Sequence, residues 1–263
     1  MGRTTRLTAG TALLAATLTL TACGGGDGKS GAKPSSTLDG PMTSAPPSGA
    51  DNSAKPPAEL VKAALDGFRN AKSVHVKADF KDEGKPMRLD FRLGQDQADG
   101  TMQGSFENTP ATVKLRTTGG KLFMGADASF WENMLGDKSA GAMLGGKWVL
   151  FPSSQSKEYR PFLGIRQFDQ QVVAKMREVI ATRSDGFEGS RADVAGTPAI
   201  AITGPGAKSS KMFVSANGTP HLLRLSSTVA VGDMPVGSFD FSEYDTPLQI
   251  QAPADAIDLS KIK

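Results

Sequence analysis

The stretch Val74-His75-Val76-Lys77-Ala78-Asp79-Phe80, followed beyond a Glu83-Gly84 turn by Met87-Arg88-Leu89-Asp90-Phe91-Arg92-Leu93, decides the fold. Apolar and polar residues alternate strictly in both halves, the period of a strand with one face on a core and the other in water. Met102 with Phe106, and Val113 with Leu115, continue the pattern, and Asn108-Thr109-Pro110 supplies turn chemistry between them. Together these segments predict an antiparallel meander.

Upstream, Pro56-Pro57 precedes Leu60, Val61, Ala64, Leu65 and Phe68, whose helical spacing predicts an amphipathic helix ending near Ala71. Downstream, a short strand over Lys121–Gly125 leads to a short helix over Ser129–Leu135 and a glycine-rich stretch from Gly136 to Gly146. Trp148–Phe151 reads as a compact strand. Phe168, Val172, Val173, Met176, Val179 and Ile180 mark a further amphipathic helix. A second meander is expected at Ala199–Thr203, Lys211–Ser215, Pro220–Ser226, Ser238–Ser242 and Leu248–Gln251. Asn217-Gly218 is the signal of a type I′ hairpin turn, which needs positive φ at both central residues. The expected fold is α+β, with about ten antiparallel strands and three helices.

Such a sheet is roughly 45 Å wide at about 4.8 Å per strand, more than three helices of about 10 Å each can cover flat. It is therefore expected to curl strongly into a half-barrel with the helices over its concave face, enclosing space for an apolar ligand. The alternation puts Phe80, Leu89, Phe91, Leu115, Met134, Trp148, Ile200, Leu223 and Phe239 near the lining. An interior packed solid by Phe, Leu and Met would give the same pattern. The methionines and glycines between Met124 and Gly146 suit a movable, adaptable lid, or equally a surface excursion capped by one hydrophobic helix.

The N-terminus addresses the chain. Arg3 and Arg6 precede an apolar run from Ala12 to Leu20, too short to span about 30 Å of hydrocarbon, and Leu20-Thr21-Ala22-Cys23 follows. That pattern predicts a signal peptide over residues 1–22. Its last four residues resemble the lipobox of bacterial lipoproteins, which implies a mature chain starting at a diacylglyceryl-linked Cys23. Cys23 is also the single cysteine of the chain, without a partner for a disulfide. Residues 24–57 are Gly, Ser, Pro, Ala, Thr and Lys with scarcely a large apolar side chain, so a disordered tether is expected between Cys23 and a single domain over 58–263.

The formal charge of +3 falls near +1 once Arg3 and Arg6 are removed, and no basic stripe with interleaved aromatics points to nucleic acid. His75 and His221 sit at wet-face positions without a second His or Cys at ligand spacing, so no metal is expected. No nucleophile motif, carboxylate pair or phosphate loop is evident, so neither catalytic residues nor a cofactor are expected.

Three segments carry a family resemblance: Ala71-Lys72-Ser73-Val74-His75-Val76 after the first helix; Gly120-Lys121-Leu122-Phe123-Met124 running to Trp131 and Gly146-Lys147-Trp148; and Phe241-Ser242-Glu243-Tyr244-Asp245-Thr246-Pro247-Leu248-Gln249-Ile250-Gln251-Ala252-Pro253. In this order behind a lipobox, the chain resembles the actinobacterial LppX/LprG-type lipoproteins, similar in shape to the LolA and LolB carriers. The resemblance implies a half-barrel whose cavity takes up acyl chains of envelope lipids, and it brings no catalytic residues. Two functions follow as expectations. One is a lipid-anchored extracytoplasmic carrier or sensor that buries a lipid or other apolar ligand. The other is a packed interaction scaffold for envelope proteins. A monomer is expected in either case, since no long exposed apolar strand or heptad pattern is present.

Overall fold

The structure, a computed structural model, describes residues 51–106, 109–152, 159, 163–174, 177, 185–230 and 235–261. The expected signal peptide, Cys23 and most of the tether lie outside the described residues, as do Met176, Val179 and Ile180.

The order begins with helix α1 (Pro57–Asn70) and five strands, β1 (Ser73–Asp82), β2 (Lys85–Gly94), β3 (Ala98–Phe106), β4 (Thr109–Thr118) and β5 (Lys121–Gly125). Two short helices, α2 (Ala128–Leu135) and α3 (Lys138–Leu144), precede β6 (Trp148–Phe151). Helix α4 (Ile165–Phe168) runs directly into a π-helical turn over Asp169–Val173. Five antiparallel strands follow, β7 (Glu188–Val194), β8 (Thr197–Thr203), β9 (Ser210–Ser215), β10 (Leu222–Ser227) and β11 (Val236–Ser242), and then β12 (Ile257–Asp258).

All twelve described strands form one open sheet in the order β12-β6-β5-β4-β3-β2-β1-β11-β10-β9-β8-β7. Two meanders are thus joined where β1 meets β11, from His75 opposite Ser242 to Lys81 opposite Val236. Every neighbouring pair is antiparallel except β12 with β6. The expected α+β class and the antiparallel sheet are both present, with more strands and helices than the sequence suggests. The added strand β7 is exposed along most of its length, so it carries no apolar alternation to read. It is an edge, with one neighbour only.

Register follows from the alternation. Val74, Val76, Ala78 and Phe80 lie opposite Leu93, Phe91, Leu89 and Met87, which fixes one apolar face across β1 and β2. That face runs on through Met102, Val113, Leu115, Met124 and Val149 in one direction, and through Phe241, Phe239, Leu225, Val214 and Ile200 in the other. Helix α1 buries Leu60, Val61, Ala64, Leu65 and Phe68 in the same core. Pro57 starts it with φ already set, and Glu59 and Arg69 suit its two dipole ends.

Three expectations are corrected. Leu248–Gln251 is not a strand: it joins no ladder, and its carbonyls accept side-chain donors instead. Asn217-Gly218 is not a two-residue turn. Only Gly218 has positive φ, and the connection widens because the buried Asn52 amide donates to the carbonyls of Ser215 and Gly218. The folded body also begins before residue 58. Asp51 bridges to Asn217, and Asn52–Ala54 form a 3-10 turn capped by the Asp51 carboxylate.

Candidate functional site: the apolar face and its helical cover

The candidate site is the continuous apolar face of the sheet together with the helices packed on it. Two groups of rings organise it. Around α1 and α4, Phe68 lies 5.7 Å from Phe168 and 5.5 Å, edge-on, from Phe241, while Phe80 stacks on Phe239 at 5.3 Å. At α2, Phe106 meets Phe130 at 5.6 Å, Phe130 meets Trp131 at 5.3 Å, and Trp131 lies 6.1 Å from Phe151, which in turn meets Tyr159. Edge and offset arrangements at these distances are favoured by the ring quadrupoles, beyond the gain from burial alone.

Of the residues expected at the lining, Leu89, Phe91, Leu115, Ile200 and Phe239 are buried on this face, and Phe80 is half-buried there. Three are not gathered with them. Trp148 pairs with Gly125, itself opposite Lys114, so it stands on the other face of the sheet, with the Arg116 guanidinium 5.0 Å above its ring. Val149 and Phe151 take the inner positions of β6 instead. Leu223 is displaced by a register shift between Leu222 and Arg224, which gives the inner positions to Leu222 and Leu225. Met134 lies in the last turn of α2 and is 36% exposed, while Phe130 and Trp131 make that helix's contact with the core.

A charged pair inside the cover was not anticipated. Asp169 is 3% exposed. Arg177 donates to it through Nη1 at 2.8 Å and to the Leu65 carbonyl through Nη2 at 2.7 Å, tying the π-helical turn to α1. Arg69 approaches from α1, its Nε 3.5 Å from Oδ2. The signal was available in the sequence: Ile165, Phe168, Asp169 and Val172 fall at one, four, five and eight, so a carboxylate sits on the stripe otherwise read as apolar.

The opposite face carries the remaining polar chemistry. His75 is not the surface residue its wet-face position implied. It is 6% exposed, with Nε2 2.6 Å from Asp90 Oδ1 and Nδ1 3.2 Å from Glu243 Oε1. Hydrogen bonding to His75, and next to Arg92, holds the Glu243 carboxyl below its usual range. Nearby, the His221 ring stacks on Tyr244 at 4.3 Å, and burial pulls its imidazole below the usual value. The Tyr244 hydroxyl donates to the Leu222 carbonyl at 2.7 Å, and burial raises its phenol well above the usual range.

From Glu243 onward the chain becomes a strap. Ser73 Oγ donates to Thr246 O, Gln97 Nε2 to Leu248 O at 3.4 Å, Thr118 Oγ1 to Ile250 O at 3.1 Å and Arg116 Nη1 to Gln251 O at 3.3 Å. A polar hollow of about 310 Å³ lies between β1, β2, β3 and β11. Its charges are matched, Arg88 with Asp79 at 3.1 Å, Lys77 with Asp90 at 3.6 Å and Arg224 with Asp240. Among the described residues no group of His, Cys, Asp and Glu is placed to hold a metal, and no helix is long and apolar enough to cross a membrane.

Against solved structures, the chain overlays LprF from Mycobacterium bovis with a TM-score of 0.52 at 14% identity, covering 75% of this chain and 97% of that one. The chain shares the fold of LprF. The resemblance to LppX/LprG-type lipoproteins read from the sequence is thereby borne out in the fold. The Pseudomonas aeruginosa MucA/MucB complex (TM-score 0.30, 14% identity, 75% of this chain and 61% of that one) matches more loosely. So does a DUF1329 family protein from Desulfovibrio piger (TM-score 0.23, 12% identity, 73% and 93%). No protein-family model matches the chain, and no curated protein matches it by sequence.

Proposed function

We infer that the chain is a non-enzymatic envelope lipoprotein, held to the outer face of the cell membrane through Cys23, that binds the acyl part of a lipid or another apolar molecule against the apolar face of its sheet. The observation that carries this reading is the LprF-like fold over three quarters of the chain, with an apolar face continuous across both meanders. The curl expected of so wide a sheet would make that face concave. Binding would be burial without chemistry: at about 0.8 kcal/mol per buried CH₂, an acyl chain can be held firmly enough to leave a bilayer. The lining in this reading includes Phe80, Leu89, Phe91, Leu115, Ile200 and Phe239, with the helices as cover.

A second reading, an interaction protein for envelope partners, is favoured by one observation: Met134, Leu135 and Met143 on α2 and α3 are exposed apolar side chains. Native mass spectrometry separates the two. The chain carrying Cys23→Ser, so that it has no lipid of its own, is purified from a related host and extracted. Copurifying acyl lipid in defined stoichiometry is the expected result. No copurifying lipid, with no uptake of a fluorescent fatty acyl probe, would overturn the binding reading in favour of the second.

A further inference from the structure

Trp131 is the largest fully buried side chain of the described core, and its indole Nε1 has no hydrogen-bond partner. Indole nitrogen is a donor only, so the group that pairs with it must be an acceptor. The Trp131 ring packs against the rings of Phe130 and Phe151, which in turn meet Phe106 and Tyr159. In such a setting a neutral acceptor can be desolvated at modest cost, whereas an ionised carboxylate would need a counter-charge.

The indole is carried by a helical hairpin set between β5 and β6. Helices α2 and α3 form a hairpin with left-handed Gly136 between them, and the unit leaves and re-enters the sheet at Ala126 and Gly146, where Gly146 N–H donates to Ala126 O at 2.8 Å. A side-chain tie from Asn133 Nδ2 to Thr109 Oγ1 at 2.9 Å links α2 to β4. The hairpin buries Phe130, Trp131 and Leu144 and leaves Met134, Leu135 and Met143 exposed.

We propose that Trp131 is the headward anchor of the ligand site: when the α2–α3 hairpin opens and closes again, Nε1 donates to the carbonyl oxygen of an acyl ester whose chain lies along the apolar face. This rests on the acyl-binding reading above and adds a chemical class to it, since esters are selected over ligands that lack an acceptor at the head of the chain. The closed hairpin keeps a buried donor unpaired, which costs stability, and the ester carbonyl removes that cost. Closure and ester recognition are then one event.

The test compares dipalmitoylglycerol with its dihexadecyl ether, equal in chain length but without carbonyls, in binding to the full chain carrying Cys23→Ser and to the same chain with Trp131→Phe, which keeps an aromatic ring and removes the donor. The expected result is about five- to tenfold tighter binding of the ester by the first protein, and equal binding of ester and ether by the second. Equal binding of ester and ether by both proteins overturns the proposal while leaving acyl binding intact. An ester preference that survives Trp131→Phe overturns it in favour of another donor. Failure of the first protein to bind either lipid overturns the acyl-binding reading itself and the proposal with it, whereas loss of all binding by the Trp131→Phe protein alone, with its fold intact by circular dichroism, overturns the proposal in favour of a packing role for the indole.

Discussion

At the scale of single residues, the buried Asp169–Arg177 pair makes the sharpest demand. Asp169 is the buried member, and removing Arg177 leaves its carboxylate desolvated with only the more distant Arg69 beside it, so Arg177→Met is expected to cost about 3–5 kcal/mol in urea unfolding, well above an ordinary surface substitution. His221 makes a demand of a different kind. Burial holds its imidazole below the ordinary 6.5, so the folded state takes up a proton less readily than the unfolded one. The stability this contributes is present above about pH 6.5 and is lost as pH falls through the lowered value. His221→Phe preserves the stack on Tyr244 and removes the titration, so the loss of stability between pH 8 and pH 5 is expected to be smaller in the variant by chemical denaturation. The sequence made only part of this legible. Spacing alone marks Asp169 as a charge on an apolar stripe, but the burial of His75 and the partial burial of His221 involve Glu243 and Tyr244, more than a hundred and some twenty residues away along the chain respectively. Wet-face alternation describes a residue's own strand and is blind to a segment laid over it.

At the scale of elements, Gly100 shows how closely β2 and β3 approach. A Cβ there would lie 2.3 Å from the Asp90 carbonyl and 2.5 Å from the Phe91 ring. Gly100→Ala therefore forces the two strands apart and is expected to lower stability by about 1–3 kcal/mol, read as a drop in thermal midpoint. The strap gives a graded counterpart. Thr118→Val removes the donor to Ile250 O while keeping the β-branched shape, with an expected loss of about 0.5–1.5 kcal/mol. Strands β1 and β2 were legible because their apolar and polar residues alternate between the core and water, whereas the strap was misread as a strand. Its Leu248 and Ile250 alternate with Gln249 and Gln251 as a strand's residues would, yet its bonds go to side chains. The same limit explains Trp148: a run of four apolar residues has no polar member to say which of its two faces is inward.

At the scale of the molecule, the anchor proposed at Cys23 would govern where any binding takes place. Cys23→Ser is expected to move the chain from the membrane fraction to the soluble fraction on cell fractionation, without changing the unfolding midpoint of the folded body. Retention in the membrane fraction would point to a second attachment, for which the exposed Met134, Leu135 and Met143 are the first suspects. The fold class and both meanders could be read from alternation. Their union into one sheet could not, because the pairing of β1 with β11 joins segments whose patterns are each complete without the other.

That junction also sets the order in which the protein can come into being. Strand β1 is among the first parts of the body to leave a ribosome or a translocation pore and β11 among the last, so one side of β1 waits as an open edge until nearly the whole chain has emerged. Long-range pairing of this kind gives high contact order and slow folding. A chain cut short before Val236 would lose β11, the strap and β12 together, leaving two half-sheets with nothing between them, and such fragments are expected to be degraded or to aggregate through the bare edge of β1.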